Sequence, residues 1–198
     1  MAKVEFFFDV GSPYSYLAYY ELPKVAARQN AEIIWRPILL GGILKATENS
    51  SPANVPAKRA YSFKDLHRWS ARYEIPFQHN KFFPINTLQL MRGAVGMQMH
   101  EPQAFLRYLD AVFNGMFRNP RNLGDEGEFI TLLQEAGIDP DLVLKLVTMD
   151  EVKNKLKAET ESAVARGLFG APAFIVGDEL YWGQDRLLFV EEALAKGG

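Results

Sequence analysis

The sequence predicts an α/β fold in which two strand-bearing halves, ordered β-α-β and β-β-α, are separated by an all-helical insertion. Three observations predict it. A bulky apolar run ends on a serine-proline pair of the kind that opens a helix. From about residue 56 the apolar side chains fall at helical spacing. Short apolar runs around a Gly-Asp turn then return after residue 172.

Taken in order, Val4–Asp9 (VEFFFD) reads as a buried strand bounded by Gly11-Ser12-Pro13. Ser12 suits an N-cap and Pro13 the first helical position, so a helix is expected from there to about Gln29, kinked or split at Pro23. Glu32–Ile38 is a second strand, with Pro37 marking its end or an edge. Thr47–Ala57 is a polar, proline-bearing linker. Helical faces follow: Phe63, Leu66, Ser70 and Tyr73 with Trp69 beside them; Leu88, Met91, Val95 and Met99; then Phe105, Leu106, Leu109, Val112, Phe113 and Met116. Met91, Met97, Met99 and Met116 read as core filler. Asp139-Pro140 is another helix start, and Glu151–Arg166 a long helix stopped by Gly167. Ala173–Val176 and Leu180–Trp182 form a hairpin. Asp185 then N-caps a last helix that turns Leu187, Val190 and Leu194 to one face. The expected division is residues 1–43 with 150–198 as one domain and 44–149 as the insertion.

Composition narrows the function. With 198 residues and 48% apolar content, the chain can bury a core. A net charge of −2 carries no basic excess for nucleic acid, and no apolar run approaches a membrane span. The expectation is a cytoplasmic protein. There is no cysteine, so disulfide and thiol chemistry by the chain itself is excluded. His67, His79 and His100 show no metal-ligand spacing, and no metal is expected.

Three segments can carry chemistry. Ser12-Pro13-Tyr14-Ser15 opens a helix, where free N–H groups and the dipole favour an anion; an N-cap serine accepts from the backbone while its own hydrogen stays available. Gly170-Ala171-Pro172-Ala173-Phe174 leads into a strand. A cis bond at its X-Pro step would present backbone groups to a peptide-like ligand, although only about 5–6% of such bonds are cis. In Trp182-Gly183-Gln184-Asp185-Arg186, a carboxylate beside a glycine can meet an ammonium group, or simply cap the helix.

Together, FDVGSPYSYLA, GAPAF and LYWGQDRL in this order resemble the 2-hydroxychromene-2-carboxylate isomerases and their kappa-class glutathione transferase relatives. These are a branch of the DsbA-like superfamily with its thioredoxin-like fold. Ser12 and Ser15 stand where that superfamily has the two cysteines of Cys-x-x-Cys. The resemblance implies glutathione as cofactor. Ser12 would donate to its sulfur and act as the catalytic residue. Ala171, beside a cis Pro172, would pair with the cysteinyl backbone. Trp182, Gly183, Gln184 and Asp185 would hold the rest, with Asp185 at the γ-glutamyl ammonium. It further implies a small aromatic carboxylate as substrate, isomerised by reversible thiolate addition, and a homodimer. Lys45, Asn54 and Phe83 match its substrate-facing residues. Val55 and Phe83 replace an arginine and a tyrosine of the naphthalene-pathway isomerase, removing polar groups that could hold the substrate, while Lys45, Arg59 and Arg92 offer compensating cations. Two other readings stay open: a kappa-like transferase that conjugates an electrophile, and a catalytically silent glutathione- or peptide-binding module.

Overall fold

In a computed structural model, which describes residues 1–197, the chain forms a four-stranded sheet with helices on both faces. The strands are β1 (Lys3–Phe8), β2 (Glu32–Pro37), β3 (Ala173–Val176) and β4 (Glu179–Trp182). Their order is β2-β1-β3-β4, parallel between β1 and β2 and antiparallel elsewhere. Strand period two explains the run Phe6-Phe7-Phe8: alternate side chains go to opposite faces, and all three are buried. Phe6 and Phe8 point to one side with Phe174 and Val176, and the Phe6 and Phe174 rings stack at 5.3 Å. Phe7 goes to the other side with Ala173 and Ile175. Pro37 ends β2, which lies at the sheet edge where a missing N–H is tolerated.

Helices α1 (Pro13–Arg28) and α9 (Leu187–Ala195) close the first face; α2 (Leu40–Ala46) and α8 (Asp150–Ala165) cover the second. Between them come α3 (Pro56–Tyr73), α4 (Leu88–His100), α5 (Pro102–Phe117), α6 (Glu126–Glu135) and α7 (Pro140–Leu146). Side chains of α4 to α7 join those of β1 and α1 in one apolar cluster, so the helices and the sheet share a core.

Several expectations need correction. Pro23 neither splits nor ends α1, which runs through it. Pro23 is on the exposed side, while Leu17, Tyr19, Leu22, Val25 and Ala26 hold the opposite side in the core, and this packing outweighs one lost ladder bond of about 3 kcal/mol. Met99 and Leu106 are exposed, outside the stripes that bury their neighbours. On α3 only Leu66 is buried. Asp185 is not the N-cap of α9; it lies within a 3-10 turn, Gln184–Arg186, and Arg186 takes the cap position without a side-chain bond. Helices α2 and α6 had no counterpart in the sequence reading. The starts at Ser12 and Asp139 and the stop at Gly167 match it: Ser12 Oγ accepts from Ser15 N–H, Asp139 Oδ1 accepts from Asp141 N–H, and Gly167 has a φ of 88°. Among the described residues no helix is long and apolar enough to cross a membrane, and no group of three or more His, Asp or Glu side chains converges as a metal site needs.

Candidate active site

The Ser12 turn is built from beneath. Asp9, just past β1, is 1% exposed, and its carboxylate accepts three hydrogen bonds: from Gly11 N–H at 2.8 Å, Leu40 N–H at 2.8 Å and the Thr87 hydroxyl at 3.1 Å. One bond shapes the turn, one satisfies the open start of α2, and one reaches the residue before α4. Burial holds the Asp9 carboxyl well above its usual range, and the three donors work against that shift. Gly11 leaves room for this arrangement, since a Cβ there would come within 2.7 Å of Thr87 Cγ2.

On this support Ser12 is buried and caps α1. Its Oγ accepts from Ser15 N–H at 3.1 Å and donates to the Ala171 carbonyl at 3.1 Å. The expected free hydroxyl hydrogen is therefore engaged, because the loop before β3 brings a carbonyl to it. The Ala171–Pro172 bond is cis, as the resemblance implies. A second cis bond, Phe83–Pro84, was not anticipated. Ser15 Oγ is fully buried and has no hydrogen-bond partner among the described residues.

The hairpin brings the third segment to the same place. Trp182 pairs with Ala173 across the sheet, and Gly183 N–H donates to Pro172 C=O at 3.0 Å. Gly183 has a φ of 100°, a left-handed conformation that glycine adopts without strain. Trp182 remains 49% exposed, its ring 5.0 Å from that of Phe169. Gln184 is buried, and its carbonyl accepts from the Tyr73 hydroxyl of α3 at 3.1 Å. Asp185 is half-buried and pairs with Arg186. Ser12, Ala171, Pro172, Trp182 and Gly183 thus form a connected group, with Gln184 and Asp185 continuing from it. The group offers a helix start with a hydroxyl, a backbone carbonyl, an exposed indole and a carboxylate, complementary to an anion, an amide N–H, an apolar body and an ammonium group.

The expected substrate residues are more dispersed. Lys45 is exposed near the end of α2, and Asn54 is exposed on the 3-10 turn Pro52–Asn54. The linker between them is tied to the site's rim, where Asn49 Nδ2 donates to Phe169 C=O at 3.2 Å. Phe83 is half-buried, 6.5 Å from the His79 ring, which in turn lies 4.2 Å from that of Phe63. Among the described residues, no side-chain hydrogen bond runs from Lys45 or Asn54 to the Ser12 group. Three residues that support the site were missed: Asp9, Thr87 and Tyr73. An aspartate closing an apolar strand three residues before a cap was the only local signal; the other two depend on contacts across the chain.

The class defined by this fold and this turn is the thioredoxin-like one. Residues 3–195 match the family described as DSBA-like thioredoxin domain. The chain is 31% identical over 193 residues to 2-hydroxychromene-2-carboxylate isomerase of Sphingobium xenophagum, covering 96% of this chain and 97% of the relative. It is 26% identical over 196 residues to glutathione S-transferase kappa 1 of Rattus norvegicus, covering 93% and 87%. A solved 2-hydroxychromene-2-carboxylate isomerase structure superposes with a TM-score of 0.85 at 28% identity, over 98% of this chain and 95% of that one. The chain belongs to the 2-hydroxychromene-2-carboxylate isomerase family, within the DsbA-like thioredoxin group.

Proposed function

We propose that this protein is a glutathione-dependent isomerase acting on 2-hydroxychromene-2-carboxylate or a related aromatic ring-cleavage product, giving trans-o-hydroxybenzylidenepyruvate. The observation that carries the reading is the Ser12–Ala171 hydrogen bond at the start of α1. It places a hydroxyl donor and a peptide-like acceptor side by side in a chain with no thiol of its own. Bound there, glutathione would supply a thiolate able to add reversibly to a conjugated carbon skeleton.

The chain's own residues would do the rest. Ser12 would turn its O–H from Ala171 to the cysteinyl sulfur, and the helix start would favour the sulfur's negative charge. A free thiol titrates near 8.5; lowering that by about two units, roughly 2.7 kcal/mol, makes the thiolate the main species at neutral pH. The Ala171 carbonyl, released by Ser12, would accept the cysteinyl N–H. Trp182, Gly183 and Gln184 would bound the tripeptide, and Asp185 would meet its ammonium. Lys45, Asn54 and Phe83 are assigned to the aromatic carboxylate, with Lys45 stabilising developing enolate charge. By the same family reading the protein is a cytoplasmic homodimer.

The second reading is a kappa-like transferase that conjugates an electrophile; Val55 and Phe83 bear on which substrate is held, not on glutathione. One assay separates the readings. The protein is mixed with the chromene carboxylate with and without glutathione, and both substrate geometry and glutathione are followed. Conversion that needs glutathione and leaves it undiminished is expected. Stoichiometric loss of glutathione gives the transferase, and no conversion with any ring-cleavage product overturns the isomerase.

A further inference from the structure

Arg92 lies on α4, on a groove against α8 that is separate from the Ser12 group. One cavity of this groove, of about 710 Å³, has Leu88, Leu123, Leu144 and Val147 on its apolar part and Asn86, Gln89 and Thr148 among its polar lining. A second, of about 520 Å³, runs on toward α2 and shares Leu88, Arg92 and Lys153 with the first. Neither is lined by Ser12, Ala171 or Trp182.

The charges of the groove are unevenly satisfied. Lys153 is paired with Asp150 at 3.0 Å, and Lys157 lies 3.8 Å from Glu161. Glu126 lines the first cavity and Glu161 the second, yet neither comes within ion-pairing distance of Arg92. Among the described residues Arg92 makes no ion pair, and its Nε is buried without an acceptor. The terminal N–H groups of a guanidinium form a parallel pair that matches two carboxylate oxygens, and these, not the enclosed Nε, are what a ligand in the groove can reach. A guanidinium that lines both cavities with no carboxylate of the chain on it is open to an acceptor brought by a ligand. The apolar wall beside it fits a hydrocarbon body better than a bare inorganic ion, and the volume is that of a small-molecule site.

We propose that this groove binds a small organic carboxylate, its carboxylate on Arg92 and its apolar body against Leu88, Leu123, Leu144 and Val147. The site stands independently of the glutathione reading. The sequence placed Arg92 among cations that could serve the catalytic substrate; the structure gives it a cavity of its own.

Titration of the full chain with naphthoate, followed by calorimetry, tests it. Saturable binding is expected. Arg92→Gln should weaken it at least tenfold, Arg92→Lys less so because the paired donors are lost while the charge is kept, and Leu144→Trp should block it by filling the cavity. Ser12→Ala should leave it unchanged, and inorganic phosphate should not compete. The proposal is overturned if naphthoate does not bind, if its affinity survives both Arg92→Gln and Leu144→Trp, or if glutathione or Ser12→Ala abolishes it. Displacement by phosphate would also overturn the organic-ligand assignment. Should Arg92→Gln not fold, Arg92→Lys and Leu144→Trp decide by the same comparison.

Discussion

The Ser12 hydroxyl makes two hydrogen bonds in the free protein, and each has a different consequence for its removal. The bond accepted from Ser15 N–H is a cap, so Ser12→Ala should lower stability by about 1 kcal/mol, readable in urea unfolding. In the proposed complex the bond donated to Ala171 would compete with the tripeptide for the same carbonyl. Deleting it leaves that carbonyl free, so the affinity for S-methylglutathione should be unchanged or higher in the variant. Thiolate stabilisation should go the other way: if the bound thiol rises from about 6.5 to about 7.5–8.5, the thiolate fraction at pH 7, and kcat with it, falls roughly 3- to 25-fold. The thiolate absorbance of bound glutathione across pH checks this directly. A Ser12→Ala protein that loses S-methylglutathione affinity in step with turnover would show Ser12 to be a binding group and nothing more. At Asp185 the expectation is reversed. Asp185→Asn removes the partner proposed for the ammonium and should weaken S-methylglutathione binding about tenfold, roughly 1.4 kcal/mol, while the bound thiol's pKa stays put.

Among the elements, α4 and α5 interlock where Gly93 faces the Tyr108 side chain. A Cβ on Gly93 would stand 2.1 Å from the Tyr108 hydroxyl oxygen and 2.7 Å from Cζ. That ring is fully buried, and its hydroxyl donates to Leu90 C=O at 2.8 Å, so it has nowhere to move. Gly93→Ala should cost about 1–3 kcal/mol by overpacking, despite alanine's better helix propensity, and lower the Tm by about 2–4 °C for each kcal/mol. Tyr108→Phe in the same background should recover part of the loss, because it removes the nearer clash; a double-mutant cycle in thermal unfolding measures it. Which elements were legible in sequence follows from how local their signals are. Helix α1 announces itself because Ser12 caps it and Pro13 begins it, and α7 does so through Asp139 and Pro140. Helix α6 carried a comparable signal: Asp125 accepts from Glu128 N–H, but Gly127 in the first turn obscures it. Helix α2 carried none. Its first residues, Leu40-Gly41-Gly42, are poor helix starters, and the group that satisfies Leu40 N–H is Asp9, 31 positions earlier. The site divides the same way. The cis step at Pro172 and the turn at Gly183 lie in motifs that a sequence can show, whereas the engagement of Ser12 with Ala171 spans 159 positions and exists only once the sheet has formed.

Across the whole molecule, Asp9 joins the strand half to the helical insertion: its two oxygens hold the Ser12 turn, the start of α2 and the residue before α4 together. Its carboxyl is pushed above the usual 3.8 by burial, the largest influence, with the three hydrogen bonds opposing it. The folded state therefore holds the Asp9 proton more tightly than the unfolded chain. From pH 3.8 up to its raised value, this group makes stability fall as pH rises, by at most about 1.4 kcal/mol per pH unit. Other groups act in different directions. Glu5 is held below its usual 4.5 first by its hydrogen bond to Arg166 and also by Arg36, and Glu191 by Arg28, so their contributions are present above 4.5 and lost as pH falls through their lowered values. His79, shifted below 6.5 mainly by burial, adds stability as pH rises toward 6.5. Comparing Asp9→Asn with the native protein cancels these groups and leaves Asp9. From pH 3.8 upward, until the raised Asp9 value is passed, the native protein should lose stability relative to the variant as pH rises, measured by urea unfolding. The variant should also lose kcat more than substrate affinity: an amide oxygen that keeps the bonds from Leu40 N–H and Thr87 turns its NH2 toward Gly11 N–H, which loosens the turn that carries Ser12. Parallel stability curves would mean that Asp9 is charged in both states with no raised pKa. Unchanged kcat would mean that the Ser12 turn holds its shape without help from α2 and α4.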